Sequence, residues 1–174
     1  MSCRTWWEKV ILDTFHCAGI TGVDQKQLQR VCTILYEKFA TPEPYRVYPE
    51  SQDTLLALAQ RGIKLGIISN SDDRTEHLIK ELGLGSYMDF IIISALEGIE
   101  KPSHGIFEKA LRLAGTSPQQ ALHVGDDYQN DYQGPILVGM HALLIDRKAN
   151  TSSCNSTKDS PLCISNLTQV LDWV

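Results

Sequence analysis

Apolar and polar positions alternate along most of this chain with the periods of helices and of buried strands. Apolar side chains recur every three or four positions over residues 3–18 and again after Asp24, which predicts two amphipathic helices with Asp24 as the N-cap of the second. A Pro-Glu-Pro sequence at 42–44 ends the second helix. These two helices precede the regular pattern of the remaining chain and predict a separate helical pair.

From Pro49 onward, helices that stop at a glycine alternate with short runs rich in isoleucine, leucine and valine. The predicted helices cover residues 50–61, 73–82, 103–114 and 130–138. The predicted strands are Ile63–Ser69, Phe90–Ser94, Ala121–Val124 and His141–Ile145. This alternation is typical of right-handed crossovers, so the predicted fold class is α/β with a doubly wound, Rossmann-like parallel sheet. The composition predicts a surface loop over 146–160 and a short helix over 161–173.

Length and charge limit the classes of function. A chain of 174 residues fits one domain with a small appended subdomain. The formal net charge is -5 and no basic cluster is present, which argues against nucleic acid as a partner. The first residues lack a secretory signal and no apolar run is long enough to span a bilayer, so no membrane association is expected. Five cysteines without a Cys-x-x-Cys pair suit a reducing, cytoplasmic location, while the oligomeric state stays open.

Polar residues of particular types follow three of the predicted strands. Ser69 and Asn70 end the first strand, Lys101 follows the second, and Asp126 ends the third, with Asp131 one helical turn later. Because ligands bind beyond the carboxyl ends of the strands in an open parallel sheet, these side chains are expected to share one edge. A hydroxyl, a lysine and an acidic pair in this order predict a Mg²⁺-dependent phosphoryl-transfer site.

The predicted metal ligands are Asp126 and Asp131, because Mg²⁺ prefers oxygen ligands and takes one or two carboxylates with several waters. The alternative is that Asp127 or Asn130 caps the next helix while Asp131 complements its dipole. Capping explains one or two of these residues, but it does not explain Gly125, Asp126 and Asp131 together.

The other candidates are a lysine, a hydroxyl and an amide. Lys101 would neutralise phosphoryl oxygens and an acidic nucleophile, although a solvated loop lysine is the simpler interpretation of Lys101 alone. Ser69 would donate a hydrogen bond to a phosphoryl oxygen and Asn70 would orient substrate or backbone, with ordinary turn chemistry as the alternative. The five histidines show no metal-ligand spacing, and His123, in the middle of a strand, is expected to be satisfied within the core.

Ser69-Asn70, Lys101-Pro102 and Gly125-Asp126-x-x-x-x-Asp131 resemble motifs two, three and four of the haloacid dehalogenase superfamily, and the resemblance covers nearly the whole chain. It implies a Mg²⁺-dependent, phosphatase-type hydrolase that acts on a small phosphorylated molecule through an aspartyl phosphate. It also implies catalytic roles for Ser69 and Lys101, substrate binding by Asn70 and Mg²⁺ binding by Asp126 and Asp131. A partial helical cap would cover residues 1–44, and a Rossmann-like core would cover 45–174.

The first motif of that superfamily is a strand that ends in Asp-x-Asp and supplies the nucleophile, and it has no match upstream of Ser69. The resemblance therefore implies that the chain begins inside the expected cap, as a truncated product would, and lacks the first, central strand. We expect little or no turnover by the chain alone. A non-catalytic module that binds phosphorylated ligands and an unstable truncated product are the alternatives. We also expect either marginal stability or direct pairing of the strands that end at Ser69 and Val124.

Overall fold

The computed structural model of the chain describes residues 2–20, 22–148 and 161–174. The α-helices are α1 (Cys3–Cys17), α2 (Gln25–Lys38), α3 (Ser51–Gln60), α4 (Thr75–Glu81), α5 (Ser94–Glu97), α6 (His104–Ala114) and α7 (Gly134–Leu137). The strands are β1 (Gly66–Ser69), β2 (Phe90–Ile93), β3 (Leu122–Gly125), β4 (His141–Ile145) and β5 (Cys163–Ile164). Short 3₁₀ turns cover Gly85–Tyr87, Pro118–Gln120 and Leu167–Asp172, and a π-helical turn covers Tyr128–Gln133.

The two N-terminal helices pack against each other, as the sequence predicts. Helix α1 begins after Ser2, whose side chain accepts a hydrogen bond from the backbone N–H of Thr5. Cys32 of α2 is fully buried, and its Sγ lies 3.9 Å from the carbonyl oxygen of Glu8 in α1. Cys32 therefore behaves as a small core residue between the two helices. The division into a cap and a core at residue 44 stays a prediction.

All strand pairs in the described part of the chain are parallel, which confirms the predicted α/β class. The strands form two sheets rather than one continuous sheet. Strand β1 pairs with β2, and the second sheet has the order β3-β4-β5. Ser69 at the end of β1 lies opposite Ile93, and Gly125 at the end of β3 lies opposite Leu144. The ends that carry the predicted site residues thus belong to different sheets.

A boundary separates the two sheets. Within the described residues β1 and β3 are not neighbours in any hydrogen-bonded ladder, so direct pairing of these two strands does not occur. The exposure of the side chains also differs between the two strands of the first sheet. Ile92 and Ile93 in β2 are 1% exposed, whereas Ile67 and Ile68 in β1, the strand at the boundary, are only half-buried. An unpaired edge leaves alternate N–H and C=O groups of its strand to water or to another partner.

Helix α6 connects the two sheets by packing on both of them. Its apolar positions recur at helical spacing, and Ile106 and Phe107 are 1% and 0% exposed. Ile68 of β1 packs against the buried cluster that contains Phe107. The ring of Phe107 also makes an edge-to-face contact with His123 in β3, with the ring centroids 5.5 Å apart. One helix face therefore fixes the relative position of β1 and β3 without any hydrogen bond between them.

The segment after residue 160 differs from the prediction of a helix over 161–173. Its first part forms β5 alongside β4, and the backbone N–H of Leu144 donates to the carbonyl of Leu162 at 2.8 Å. Pairing with an available strand edge outweighs the local helical pattern. The rest is the final 3₁₀ turn, capped by Asn166. Most of the predicted surface loop, residues 149–160, lies outside the described residues.

None of the helices in the described ranges combines the length and apolar character that a membrane span requires.

We predict that Phe107→Ala lowers the free energy of unfolding by about 3–5 kcal/mol, because it opens a cavity at the contact that connects the two sheets. Leu113→Ala is the matched control on the same helix, since Leu113 is 49% exposed. Urea unfolding followed by circular dichroism measures both variants, and equal losses would contradict the assigned role of Phe107.

We also predict that backbone amides of β1 and β3 that point away from their paired strands exchange with solvent much faster than those of β4. Strand β4 is paired on both edges and β1 on only one within the described residues. Hydrogen exchange followed by NMR resolves the individual amides. Equal protection of the two groups would show that the edges of β1 and β3 are closed.

Candidate functional site

Lys101 is fixed at the carboxyl end of β1 by a pair of hydrogen bonds with Asn70. The side-chain amide of Asn70 donates to the carbonyl of Lys101 at 2.9 Å, and its Oδ1 accepts from the backbone N–H of Lys101 at 2.8 Å. The two residues are 31 positions apart in the sequence. These two hydrogen bonds hold the backbone of the loop after β2 against the end of β1, and substrate binding by Asn70 stays a prediction.

The side chain of Lys101 reaches from this loop to Asp131, beyond the end of β3. Its Nζ donates to Asp131 Oδ1 at 2.6 Å, and the side chains of Lys101 and Asp131 are 10% and 7% exposed. Lys101 is therefore not a solvated loop lysine. The ion pair connects the ends of the two sheets. Lys101 is hydrogen-bonded to Asn70, which follows β1, and to Asp131, which lies beyond β3.

His123 is the third member of this cluster. Its Nε2 lies 3.0 Å from Asp131 Oδ1, and its side chain is 12% exposed. His123 is therefore largely buried with its polar atom satisfied, as expected, and its partner is a candidate site residue. His123 and Gly125 lie on the same face of β3, because alternate residues of a strand point to the same side. The two-residue spacing between His123 and the Gly125-Asp126 motif is the sequence signal that could have identified His123 as a site residue.

The carboxylate of Asp131 is enclosed by protein on its second oxygen as well. The backbone N–H of Asp127 donates to Asp131 Oδ2 at 3.1 Å. A side chain at Gly125 would collide with Asp131, because a Cβ there would lie 2.3 Å from the carboxyl carbon. Burial alone would raise the pKa of Asp131, but hydrogen bonds from His123 and Lys101 together with the Lys101 charge hold that pKa well below its usual range.

Helix capping occurs in addition to the contacts of Asp131 and does not replace them. Asp127 caps the π-helical turn, and its Oδ1 accepts a hydrogen bond from the backbone N–H of Asn130 at 2.7 Å. Asp131 has a different set of contacts, with Lys101, His123 and the Asp127 backbone. The capping interpretation is therefore confirmed for Asp127, and Asp131 lies in the first turn of the same element, where its Oδ2 accepts from the backbone N–H of Asp127.

The remaining predicted residues are Ser69, which ends β1, and Asp126, which follows β3. Asp126 is exposed, and Ser69 is half-buried at the end of β1. Within the described residues no group of three His, Cys, Asp or Glu side chains lies close enough to hold a metal ion. Asp126 is exposed and therefore accessible to a Mg²⁺ ion that keeps its waters, whereas Asp131 is buried and accepts hydrogen bonds from Lys101 Nζ and the Asp127 backbone. Metal binding by the pair stays a prediction.

A cavity of about 560 Å³ lies between α1 and the loops that follow β1 and β2. Trp6 and Trp7 line it on the helix side and Asn70 on the sheet side. Trp7 Nε1 donates to Asp72 Oδ2 at 2.5 Å, and Arg74 pairs with the same carboxylate while its guanidinium lies 3.8 Å from the ring centre of Tyr36. This network fixes both N-terminal helices beside the sheet edge, and the sequence patterns gave no indication of it.

The sequence of the chain is similar to those of known hydrolases. A family model described as haloacid dehalogenase-like hydrolase matches residues 1–139. The chain is 41% identical over 148 residues to haloacid dehalogenase-like hydrolase domain-containing protein 3 of Xenopus laevis, covering 85% of this chain and 60% of that protein. It is 37% identical over 110 residues to glyceraldehyde 3-phosphate phosphatase of Methanothermobacter thermautotrophicus, covering 62% of this chain and 47% of that protein.

A solved structure supports the same relationship. The HAD phosphatase from Thermococcus onnurineus aligns with a TM-score of 0.71 and 26% sequence identity, over 86% of this chain and 70% of that one. The chain spans about 60% of the length of the curated relatives it matches first.

We predict that Asp131→Asn lowers the free energy of unfolding at neutral pH by about 3 kcal/mol, because it leaves the buried Lys101 ammonium without its carboxylate. Folding lowers the pKa of Asp131, so its ionised carboxylate stabilises the folded state. This contribution to the free energy of unfolding is complete above about pH 4, the pKa of an unfolded aspartate. It is lost as the pH falls towards the lower pKa that Asp131 has in the folded state. The wild type should therefore lose more stability below about pH 4 than Asp131→Asn does. Urea titrations at several pH values measure this.

The matched control is Asp126→Asn, which changes an exposed acid of the same motif. It should leave the free energy of unfolding within about 0.5 kcal/mol of the wild type. Equal effects of the two substitutions would mean that Asp131 does not act as a buried counter-ion.

Proposed function

The chain belongs to the haloacid dehalogenase-like hydrolase family, and on that premise we propose that it carries the phosphate-binding part of a phosphatase-type active site. The observation that carries the proposal is the position of Lys101, which Asn70 and Asp131 hold at the ends of two parallel sheets. That is the edge at which ligands of open α/β sheets bind. The phosphatase named among the relatives supports phosphoryl rather than halide chemistry.

Lys101 and Ser69 would bind the phosphoryl group. An ammonium has three N–H donors, and the bond to Asp131 Oδ1 uses one of them, so two remain for phosphoryl oxygens. The Ser69 hydroxyl at the end of β1 would donate a further hydrogen bond. Asn70 would act through Lys101, whose backbone it holds on both sides. The cavity beside Asn70 offers space for the rest of a small phosphorylated molecule.

The nucleophile is the part that this sequence does not supply upstream of Ser69. In the family's phosphatase chemistry an aspartate attacks phosphorus, and the later hydrolysis of the aspartyl phosphate regenerates it. We therefore propose that the chain alone binds a phosphate ester with little or no turnover. Mg²⁺, if bound at the exposed Asp126, would supply positive charge to the phosphoryl oxygens.

A non-catalytic phosphate-binding role would use the same residues and differs from a phosphatase only in turnover. We predict that inorganic phosphate binds to the chain and that Lys101→Met weakens this binding about tenfold or more, because a charge-assisted hydrogen bond is lost. Lys80→Met is the matched control, since Lys80 forms an exposed ion pair with Glu76 on α4. Isothermal titration calorimetry measures both, and unchanged binding in Lys101→Met would remove the basis of the proposal.

Turnover is tested separately with p-nitrophenyl phosphate and Mg²⁺. The chain should show background hydrolysis only, and a longer version with an upstream strand ending in Asp-x-Asp should show activity that Asp126→Ala reduces. Hydrolysis by the present chain that Asp126→Ala abolishes would mean that it contains a nucleophile, and the proposed inactivity would be wrong.

A further inference from the structure

Asp131 differs from an available metal ligand in the way its two oxygens are used. Oδ1 accepts from Lys101 Nζ at 2.6 Å and lies 3.0 Å from His123 Nε2. Oδ2 accepts from the backbone N–H of Asp127 at 3.1 Å and lies 2.4 Å from the position that a Cβ on Gly125 would occupy. The residue as a whole is only 5% exposed.

A divalent metal has requirements that this surrounding does not meet. Mg²⁺ binds carboxylate oxygen directly at about 2.1 Å and keeps several waters in a nearly octahedral shell. The Lys101 ammonium already occupies Asp131 Oδ1, the oxygen for which a metal ion would have to compete. The Lys101 ammonium would also repel a second cation at the same carboxylate, and this repulsion is strong where the groups are shielded from water.

We infer that Lys101, rather than a divalent metal, is the cation that the Asp131 carboxylate binds in this chain. Asp131 is then a positioning residue that fixes the ammonium of Lys101 at the sheet edge, and His123 fixes Asp131 in turn. The two acids of the Gly125-Asp126-x-x-x-x-Asp131 motif have different tasks, and Asp126 is the one left accessible to a cation.

The hydrogen-bond chemistry of the cluster also specifies the protonation of His123. An ionised carboxylate only accepts hydrogen bonds, so the contact with Asp131 requires a proton on His123 Nε2. The backbone N–H of Asp127 and the Lys101 ammonium are the other donors to Asp131. One carboxylate thus receives three donors, and the positive charge of one of them, the Lys101 ammonium, neutralises it.

This inference does not depend on the proposed function, because neither a substrate nor turnover enters it. The test uses Mn²⁺ as the probe and the electron paramagnetic resonance signal of free Mn²⁺ as the readout. The proteins compared are the wild type, Lys101→Met, the charge-neutral double variant Lys101→Met/Asp131→Asn, and the control Lys80→Met. Circular dichroism and thermal unfolding establish that each variant is folded.

The charge-neutral double variant separates the two possible roles of Asp131. It should bind Mn²⁺ within about threefold of the wild type, because neither protein offers an uncompensated charge at this position. Lys101→Met alone should bind at least about tenfold more tightly, since its Asp131 carboxylate has lost the ammonium. Lys80→Met should match the wild type. A tenfold loss in the double variant, or no gain in Lys101→Met, would overturn the inference.

A second measurement needs neither a metal nor a stable variant of Lys101. The buried ammonium of Lys101 should give a slowly exchanging signal in proton–nitrogen NMR spectra of the wild type. This signal should disappear in Asp131→Asn and persist in Asp126→Asn, because the hydrogen bond of Lys101 Nζ within the described residues is to Asp131 and not to Asp126. Absence of the signal from the wild type, or its persistence in Asp131→Asn, would contradict the positioning role.

Discussion

The ion pair between Lys101 and Asp131 connects two parallel sheets that share no strand pairing within the described residues. Lys101 comes from the loop after β2 and is bonded through its backbone to Asn70 at the end of β1, whereas Asp131 lies against Gly125 at the end of β3. Removing one partner would bury the other charge alone, which is costly. The arrangement at the sheet edge therefore depends on both residues being present.

Packing places the ion pair within reach of its partners. Helix α6 contacts β1 through the cluster around Phe107 and contacts β3 through the edge-to-face contact between Phe107 and His123. The same histidine then contacts Asp131. Apolar packing and polar contacts are thus continuous from the centre of α6 to the candidate site. A substitution at Phe107 would therefore affect the position of the Asp131 carboxylate through His123. On the other side, the contact of Trp7 with Asp72 ties the helical pair to the loop after β1.

Family membership and local geometry give complementary information about this site. The match over residues 1–139 places the chain among haloacid dehalogenase-like hydrolases. It does not specify which acid serves which purpose, because that depends on the partners each carboxylate finds in the folded chain. The geometry separates a buried acid, Asp131, that is used within the protein from an exposed acid, Asp126, that is free to meet a ligand.

The sequence by itself determined the α/β class, the N-terminal helices and most element positions, because periodicity and glycine stops are local properties of the chain. It also predicted that Ser69, Asn70, Lys101, Asp126 and Asp131 follow the carboxyl ends of strands, where ligands of open parallel sheets bind. Only the tertiary structure decided that the strands form two sheets, that residues 163–164 pair with β4 rather than continue a helix, and that His123 joins Asp131. Each of these depends on partners distant in sequence, with Lys101 and Asp131 30 positions apart. Spacing along the chain does not reveal which buried charge will neutralise another, because that choice is made by packing.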